Sequence, residues 1–275
     1  MTEKRIESNI TKINPNLPAY MQEDGLMGTE ELSKIVRPPL LRIIQKSSSD
    51  DLLEKFDKGD LIIRPADALV ASYNNGNPDK FLFTPIIYWR EFVTWAPLTL
   101  KGQVPAVLGT TRDENSALAR KAMDATLREE EIQYEGMTFT ANHVAHLNFL
   151  FIIQNNDAMG FEPALFSFCR GEYVTGTKFA SMIKQCHAPI FSRIYEGQVS
   201  PTPRSNQKGS WYGLDINNPT DDISPWVDSD LYAQYKDLYE KFSISLKSDN
   251  IKTDYESSES SESDESDGYN DSDEF

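Results

Sequence analysis

The chain has 275 residues, 39% of them hydrophobic and 11% aromatic, with a formal net charge of −16 and a pI near 4.6. That length supports one substantial core or two small ones. The absence of an apolar run of about 18 residues argues against a membrane span, and Met1 to Tyr20 lacks the apolar centre of a secretory signal. Cys169 and Cys186 are too few for a disulfide framework, so the expectation is a soluble protein of a reducing cytoplasm.

In chain order, residues 1–17 read as a disordered N-terminal arm, followed by an irregular stretch with a short helix at Thr29 to Val36 capped by Thr29. From Leu40 the pattern changes to short β-branched and aromatic runs: Leu40 to Ile44, Leu61 to Ile63, and Phe81 to Phe83 leading into Ile86 to Trp95. Asn74 to Pro78 is a loop between two of them. Asp113 to Glu131 carries Ala117, Leu118, Ala122, Ala125 and Leu127 at roughly helical spacing and predicts a surface helix. Strands resume at Met137 to Thr140, His146 to Gln154 and Pro163 to Arg170. A helix follows at Thr175 to Cys186, with Phe179, Met182 and Ile183 on one face and Pro189 beyond its end. Ile190 to Tyr195 and Ser210 to Ile216 read as strands around a loop at Ser200 to Gly209, and Leu231 to Leu246 as a final amphipathic helix. Six or more short strands with few helices predict a mostly β, α+β domain over residues 18–250, an OB-like antiparallel barrel with inserted helices; a sandwich fits the same pattern.

Residues 251–275 form an acidic, Ser-rich tail. From Asp254 onward it holds ten carboxylates and no Lys or Arg, which leaves 33 acidic against 27 basic residues, about −6, for the rest of the chain. So much charge with so little to bury predicts disorder. An acidic pI ordinarily argues against a nucleic-acid partner, but here the acidity is an appendage that hides a basic stretch. From Arg170 to Gly209 the chain carries Arg170, Lys178, Lys184, Arg193, Arg204 and Lys208 against Glu172 and Glu196 alone. Tyr173, Trp211 and Tyr212 lie in or beside this stretch, as do Phe168, Phe179 and Phe191, whose apolar faces suit a core. A cationic track with aromatic faces is how single strands are held, each stacked base contributing about 1 to 3 kcal/mol. A solvated basic face is the plainer alternative.

Signatures of catalysis are weak. No Gly-rich phosphate loop, Ser nucleophile elbow or paired CxxC spacing occurs. His143 and His146, with Cys169, Cys186 and His187, are the best metal candidates, yet the pattern places no fourth ligand. Asp57, Asp60, Asp67 and Asp79 would suit a nuclease, but loop acids look the same. No metal, cofactor or catalytic residue is assigned, and the expectation is a non-enzyme.

Together, the basic, aromatic order Leu165 to Gly171, Gly176 to Ile183, Pro189 to Phe191 and Gly209 to Ile216, and the acidic tail closing on Asp271, Ser272, Asp273, Glu274 and Phe275, resemble a bacteriophage single-stranded DNA-binding protein of the OB-fold type. The resemblance implies a protein that coats and protects single-stranded DNA in phage replication, recombination and repair. It further implies that Asp271, Asp273, Glu274 and Phe275 recruit a replicative polymerase, helicase or primase. The tip lacks the Pro-Phe ending of bacterial counterparts, and no Gly/Gln-rich linker precedes it. A homodimer through the Leu231 to Leu246 helix is compatible with its stripe, although packing on its own domain is the commoner fate. Rival readings are a metal-dependent nuclease or other DNA-processing enzyme, and an acidic interaction or chaperone-like protein whose serines are phosphorylated.

Overall fold

The apolar runs fold as strands, and in a computed structural model that describes residues 38–100, 103–154, 163–206, 209–220 and 223–248 most of them join one sheet. The elements are β1 (Leu40–Ile43), α1 (Asp50–Leu53), β2 (Leu61–Arg64), β3 (Ala68–Ala71), β4 (Lys80–Trp95), β5 (Val107–Thr111), α2 (Ala117–Met123), β6 (Glu129–Tyr134) and β7 (Met137–Ile153). They continue with β8 (Ala164–Cys169), α3 (Tyr173–Gln185), β9 (Tyr195–Val199), β10 (Arg204–Asn206), β11 (Gly209–Trp211), β12 (Leu214–Asn217) and α4 (Ser229–Lys247).

β4 and β7, 16 and 17 residues long, are the spine, paired antiparallel from Phe83↔Ile153 to Trp95↔Asn142. Pro85 has no N–H for the ladder, and the register shifts between Pro85 and Ile87. A bulge there lets two apolar runs continue as one strand. The sheet runs β12-β9-β4-β7-β8-β1-β2-β3, with β5 on β4 and β6 on β7, while β10 and β11 form a separate hairpin. β1 runs parallel to β8 and antiparallel to β2, so the sheet is mixed.

Side chains alternate across β7, and each face collects its own helix. Leu147, Phe149, Phe151 and Ile153 pack with Phe83, Phe168 and the α3 residue Phe179. Leu150 and Ile152 pack with Ile86, Trp89, Leu165 and the α4 residue Tyr235. The result is an α+β molecule, mostly β, with α3 and α4 on opposite faces.

The closed OB-like barrel is not what forms. Among the described residues the ladder path is open, from β12 at one end to β3 at the other. Sixteen-residue strands with different partners at their two ends make a wide sheet, whereas the sequence divides them into shorter segments.

Four other expectations change. Asp113 to Glu131 is not one helix: α2 starts at Ser116, whose Oγ accepts from the Ala119 N–H at 3.0 Å, and stops at Asp124. There the Asp124 carboxylate accepts from the Thr126 N–H at 2.9 Å and from its hydroxyl at 2.7 Å, a local turn that competes with the helix. Glu129 to Tyr134 then alternates exposed and half-buried as β6. Met137 to Gln154 holds no gap at Asn142 and His143, because β4 and β6 flank that part of β7. Ile190 to Ser192 is a 3-10 turn rather than a strand, and the expected loop at Ser200 to Gly209 contains β10. The N-terminal arm, the Thr29 to Val36 helix, Lys208 and the tail with Asp271, Asp273, Glu274 and Phe275 lie outside the described residues.

Candidate functional site

The basic stretch begins where β8 gives way to α3. Arg170 is exposed and sits in the left-handed backbone region, φ 49°, which reverses the chain into the helix. Trp211 packs directly over Gly171, where a Cβ would collide with its ring. Gly176 brings the helix onto β8 so closely that a Cβ would lie 2.6 Å from the Phe168 Cβ. α3 is therefore fixed by two close approaches, and it presents Val174, Thr177, Lys178, Ser181, Lys184 and Gln185 to solvent.

Glu172, just before α3, organises the neighbouring loops. Its Oε1 accepts from the Arg204 guanidinium and from Trp211 Nε1 at 2.8 Å, and its Oε2 from the Leu214 N–H at 3.1 Å. Arg204 also donates to Thr175 Oγ1 at 2.8 Å, Asp215 Oδ1 at 2.6 Å and the Leu214 carbonyl at 3.1 Å. One carboxylate and one guanidinium thus tie α3 to the β10–β11 hairpin and to β12. Between α3 and β12 lies a groove of about 320 Å³ lined by Thr175, Lys178, Phe179, Met182, Arg204, Asp215, Ile216 and Asn217.

Next in the chain after Asn217 is Asn218, whose Oδ1 accepts from Arg193 Nη2 at 3.1 Å. Arg193 Nη1 reaches Cys186 Sγ at 3.0 Å, at the end of α3. The guanidinium is stacked between Tyr195, 5.8 Å from its ring centroid, and Trp226, 5.4 Å away.

The nine interface residues of the sequence reading fall into groups. Arg170, Lys178 and Lys184 are exposed, and Lys178 with Arg204 lines the groove. Arg204, Arg193 and Trp211 are spent largely on internal contacts. Tyr173 is half-buried between two core clusters, its hydroxyl 3.5 Å from Met123 Sδ. Tyr212 sits apart, edge-on to Tyr73 at 4.9 Å, with its backbone held by Gln45, and burial followed by the Tyr73 neighbour pushes its phenol up. Sequence reasoning missed Trp226, which is 48% exposed, and Lys46, whose ammonium lies 3.5 Å from Ser210 Oγ beside Trp211. A signal for Trp226 was present: an indole in Ile223-Ser-Pro-Trp-Val-Asp-Ser229 has no periodic apolar neighbours to bury it.

The acid and metal candidates resolve into structure. His143 and His146 differ by an odd number of positions on β7 and face opposite sides of the sheet, so they do not share a ligand. His143 bridges Thr94 Oγ1 at 2.9 Å and Glu130 Oε2 at 3.0 Å, and Lys121 donates to the same Glu130 oxygen. Lys121 and then His143 hold that carboxyl below its usual range. The order hydroxyl, imidazole, carboxylate has the form of an activated nucleophile, but Thr94 and His143 are buried and these groups engage one another across β4, β7, β6 and α2. His146 pairs with Ser167 Oγ at 2.8 Å, and burial, aided by Arg170, lowers its imidazole to about 3, so it is neutral. Among the described residues, no group of three or more His, Cys, Asp or Glu is disposed to hold a metal, and no helix is long and apolar enough to cross a membrane. Asp60 caps the Tyr73 and Asp57 N–H groups, Asp67 pairs with Arg64 and Lys55, and Asp79 binds Ser72 and Asn74. They do not converge.

No curated protein and no solved structure matches the chain. The family described as Pam3 phage gp34-like protein matches residues 7–246, which takes in β1 through nearly all of α4. The chain therefore belongs to the Pam3 phage gp34-like family and is of bacteriophage type.

Proposed function

We propose that the protein binds single-stranded DNA along α3 and the groove beside β12, and that it acts by binding rather than by catalysis. The observation that carries this reading is the solvent face of α3. Thirteen residues include Lys178 and Lys184 and no Asp or Glu, in a chain of net charge −16. An exposed cationic face in an otherwise acidic molecule is the electrostatic footprint of a polyanion site. Arg170 extends it at the head of the helix, Lys46 lies to the side, and Lys208 belongs with them by sequence. Arg204, Glu172 and Trp211 shape the groove wall, and phosphate contact falls to the lysines and Arg170.

The family match gives phage type; in this reading the protein serves phage replication, recombination and repair within the host cytoplasm. In this reading the tail, a polyanion, competes with DNA for the same cations, and displacement frees Asp271, Asp273, Glu274 and Phe275 to recruit a polymerase, helicase or primase. Competition lowers apparent affinity most at low salt, so the full chain shows a shallower salt dependence than the tailless one.

The test is a titration of fluorescent oligothymidine, followed by anisotropy at two salt concentrations, with the full chain and with a chain lacking Asp254 to Phe275. Binding that weakens with salt, and is tighter without the tail at low salt, is expected. A tailless chain that binds more weakly overturns the competition. No binding by either chain overturns the DNA reading and favours an acidic interaction protein.

A further inference from the structure

Trp226 exposes 48% of its surface, although a fully solvated indole is an unfavourable use of the largest apolar side chain. It is nevertheless held in place. Its residue bridges Arg193, the Pro225 carbonyl accepts from the Ile194 N–H at 2.9 Å, and the Val227 N–H donates to the Ser192 carbonyl at 3.2 Å. Ser224 bonds the Trp226 backbone on both its N–H and carbonyl sides at 3.3 Å. The Arg193 guanidinium lies over the ring at 5.4 Å, itself backed by Tyr195, Cys186 and Asn218. This is a preorganised, half-exposed aromatic ring with a cation against it.

Its place in the fold adds to this. Trp211 packs over Gly171 at the head of α3, and Trp226 stands beyond Cys186 at its end. The contacts of the two indoles thus fall near opposite ends of a 13-residue helix, about 20 Å long at 1.5 Å per residue. Lys178 lines the groove between them and Lys184 projects from the last turn of the same helix.

We infer that Trp226 is a base-stacking platform at the far end of the single-strand site: one nucleobase lies on its exposed surface, Arg193 holds the ring, and Lys184 meets the adjoining phosphate. The inference rests on the proposed DNA reading and deepens it by naming the π-face that the cationic helix lacks. Stacking of this kind tolerates any base, so it predicts affinity without sequence preference.

Intrinsic fluorescence tests it in a Trp211→Phe background, which removes the other indole beside the groove, because Trp89 and Trp95 are 5% and 2% exposed and are poorly placed to meet a base. Labelled oligothymidine is titrated into the full chain and into the Trp226→Leu and Trp226→Phe variants, with anisotropy and tryptophan emission read together and thermal melts as the folding control. The parent is expected to bind with quenching. Trp226→Leu is expected to bind about tenfold more weakly with most of the quenching gone, and Trp226→Phe to lose the quenching while binding within about threefold of the parent. If Trp226→Leu melts early, the Phe variant decides: retained quenching overturns the assignment. A parent that binds while Trp226→Leu binds equally well with undiminished quenching overturns the role of Trp226 alone. A parent that gives no anisotropy change overturns the DNA reading itself.

Discussion

The two faces of the sheet carry helices of similar amphipathic character put to different uses. α3 buries Gly176 and Phe179 in the larger aromatic core and keeps carboxylates off its outer face. α4 is longer, at 19 residues, yet buries Tyr235 alone, with Leu231, Tyr232, Leu238, Tyr239, Phe242 and Leu246 only partly covered. Its solvent side mixes Lys236 and Lys241 with Asp237 and Glu240, a pattern that suits solubility rather than attraction of one charge. A tightly seated helix of one charge sign makes a rigid cationic surface, whereas a loosely seated helix of mixed charge makes a cover.

Four experiments press on that contrast. The largest effect is expected at the anchor of α3. Phe179→Ala removes a ring that meets Phe83, Phe149, Phe151 and Tyr195 and should cost about 3 to 5 kcal/mol in a urea melt. A cost below about 1 kcal/mol would mean that α3 is no better seated than α4. Next, Lys178→Glu with Lys184→Glu should weaken oligothymidine binding about a hundredfold at low salt, while Lys236→Glu with Lys241→Glu on α4 should change it less than about twofold. Equal losses on the two helices would erase the distinction.

The third experiment concerns pH. His146 lies on the α4 side of β7 by alternation with Leu150 and Ile152, opposite Glu91 and Cys169, with Ser167 and Arg170 as further neighbours. Its folded pKa is depressed from 6.5 to about 3, so the unfolded chain binds the extra proton. Stability from this group is fully present above pH 6.5 and drains away as pH falls towards 3, by about 2 kcal/mol between pH 7 and 5. Urea melts across that range should show the slope, and His146→Gln should flatten it. The smallest effect belongs to the anchor of α4: Tyr235→Phe removes the hydroxyl that accepts from Gln154 Nε2 at 2.9 Å and should cost about 1 kcal/mol.

Sequence reasoning located both helices within two residues because each has a single apolar stripe and a clear stop. It divided β4 and β7 because Pro85, Asn142 and His143 look like interruptions, whereas a bulge and cross-strand hydrogen bonds absorb them. It missed β6 because Glu-Glu-Glu-Ile favours a helix locally, and pairing with β7 overrides that preference. For the site, charge could be counted along the chain but its partners could not. Arg193 and Arg204 look like free cations until the fold brings Trp226, Glu172 and Asp215 to them. Lys178 and Lys184 were legible because the charge count along Arg170 to Gly209 picks them out and neither falls on the Phe179, Met182 and Ile183 stripe.

The Glu172 carboxylate has an evolutionary consequence. It accepts hydrogen bonds from Arg204, Trp211 and Leu214, groups that come from three separate elements, and Gly213 leaves just the room that this pairing needs. Neutralising it would strand donors from all three, so positions 172, 204, 211 and 213 are expected to change as a set among related phage chains. A double-mutant cycle between Glu172→Gln and Arg204→Met should accordingly be far from additive.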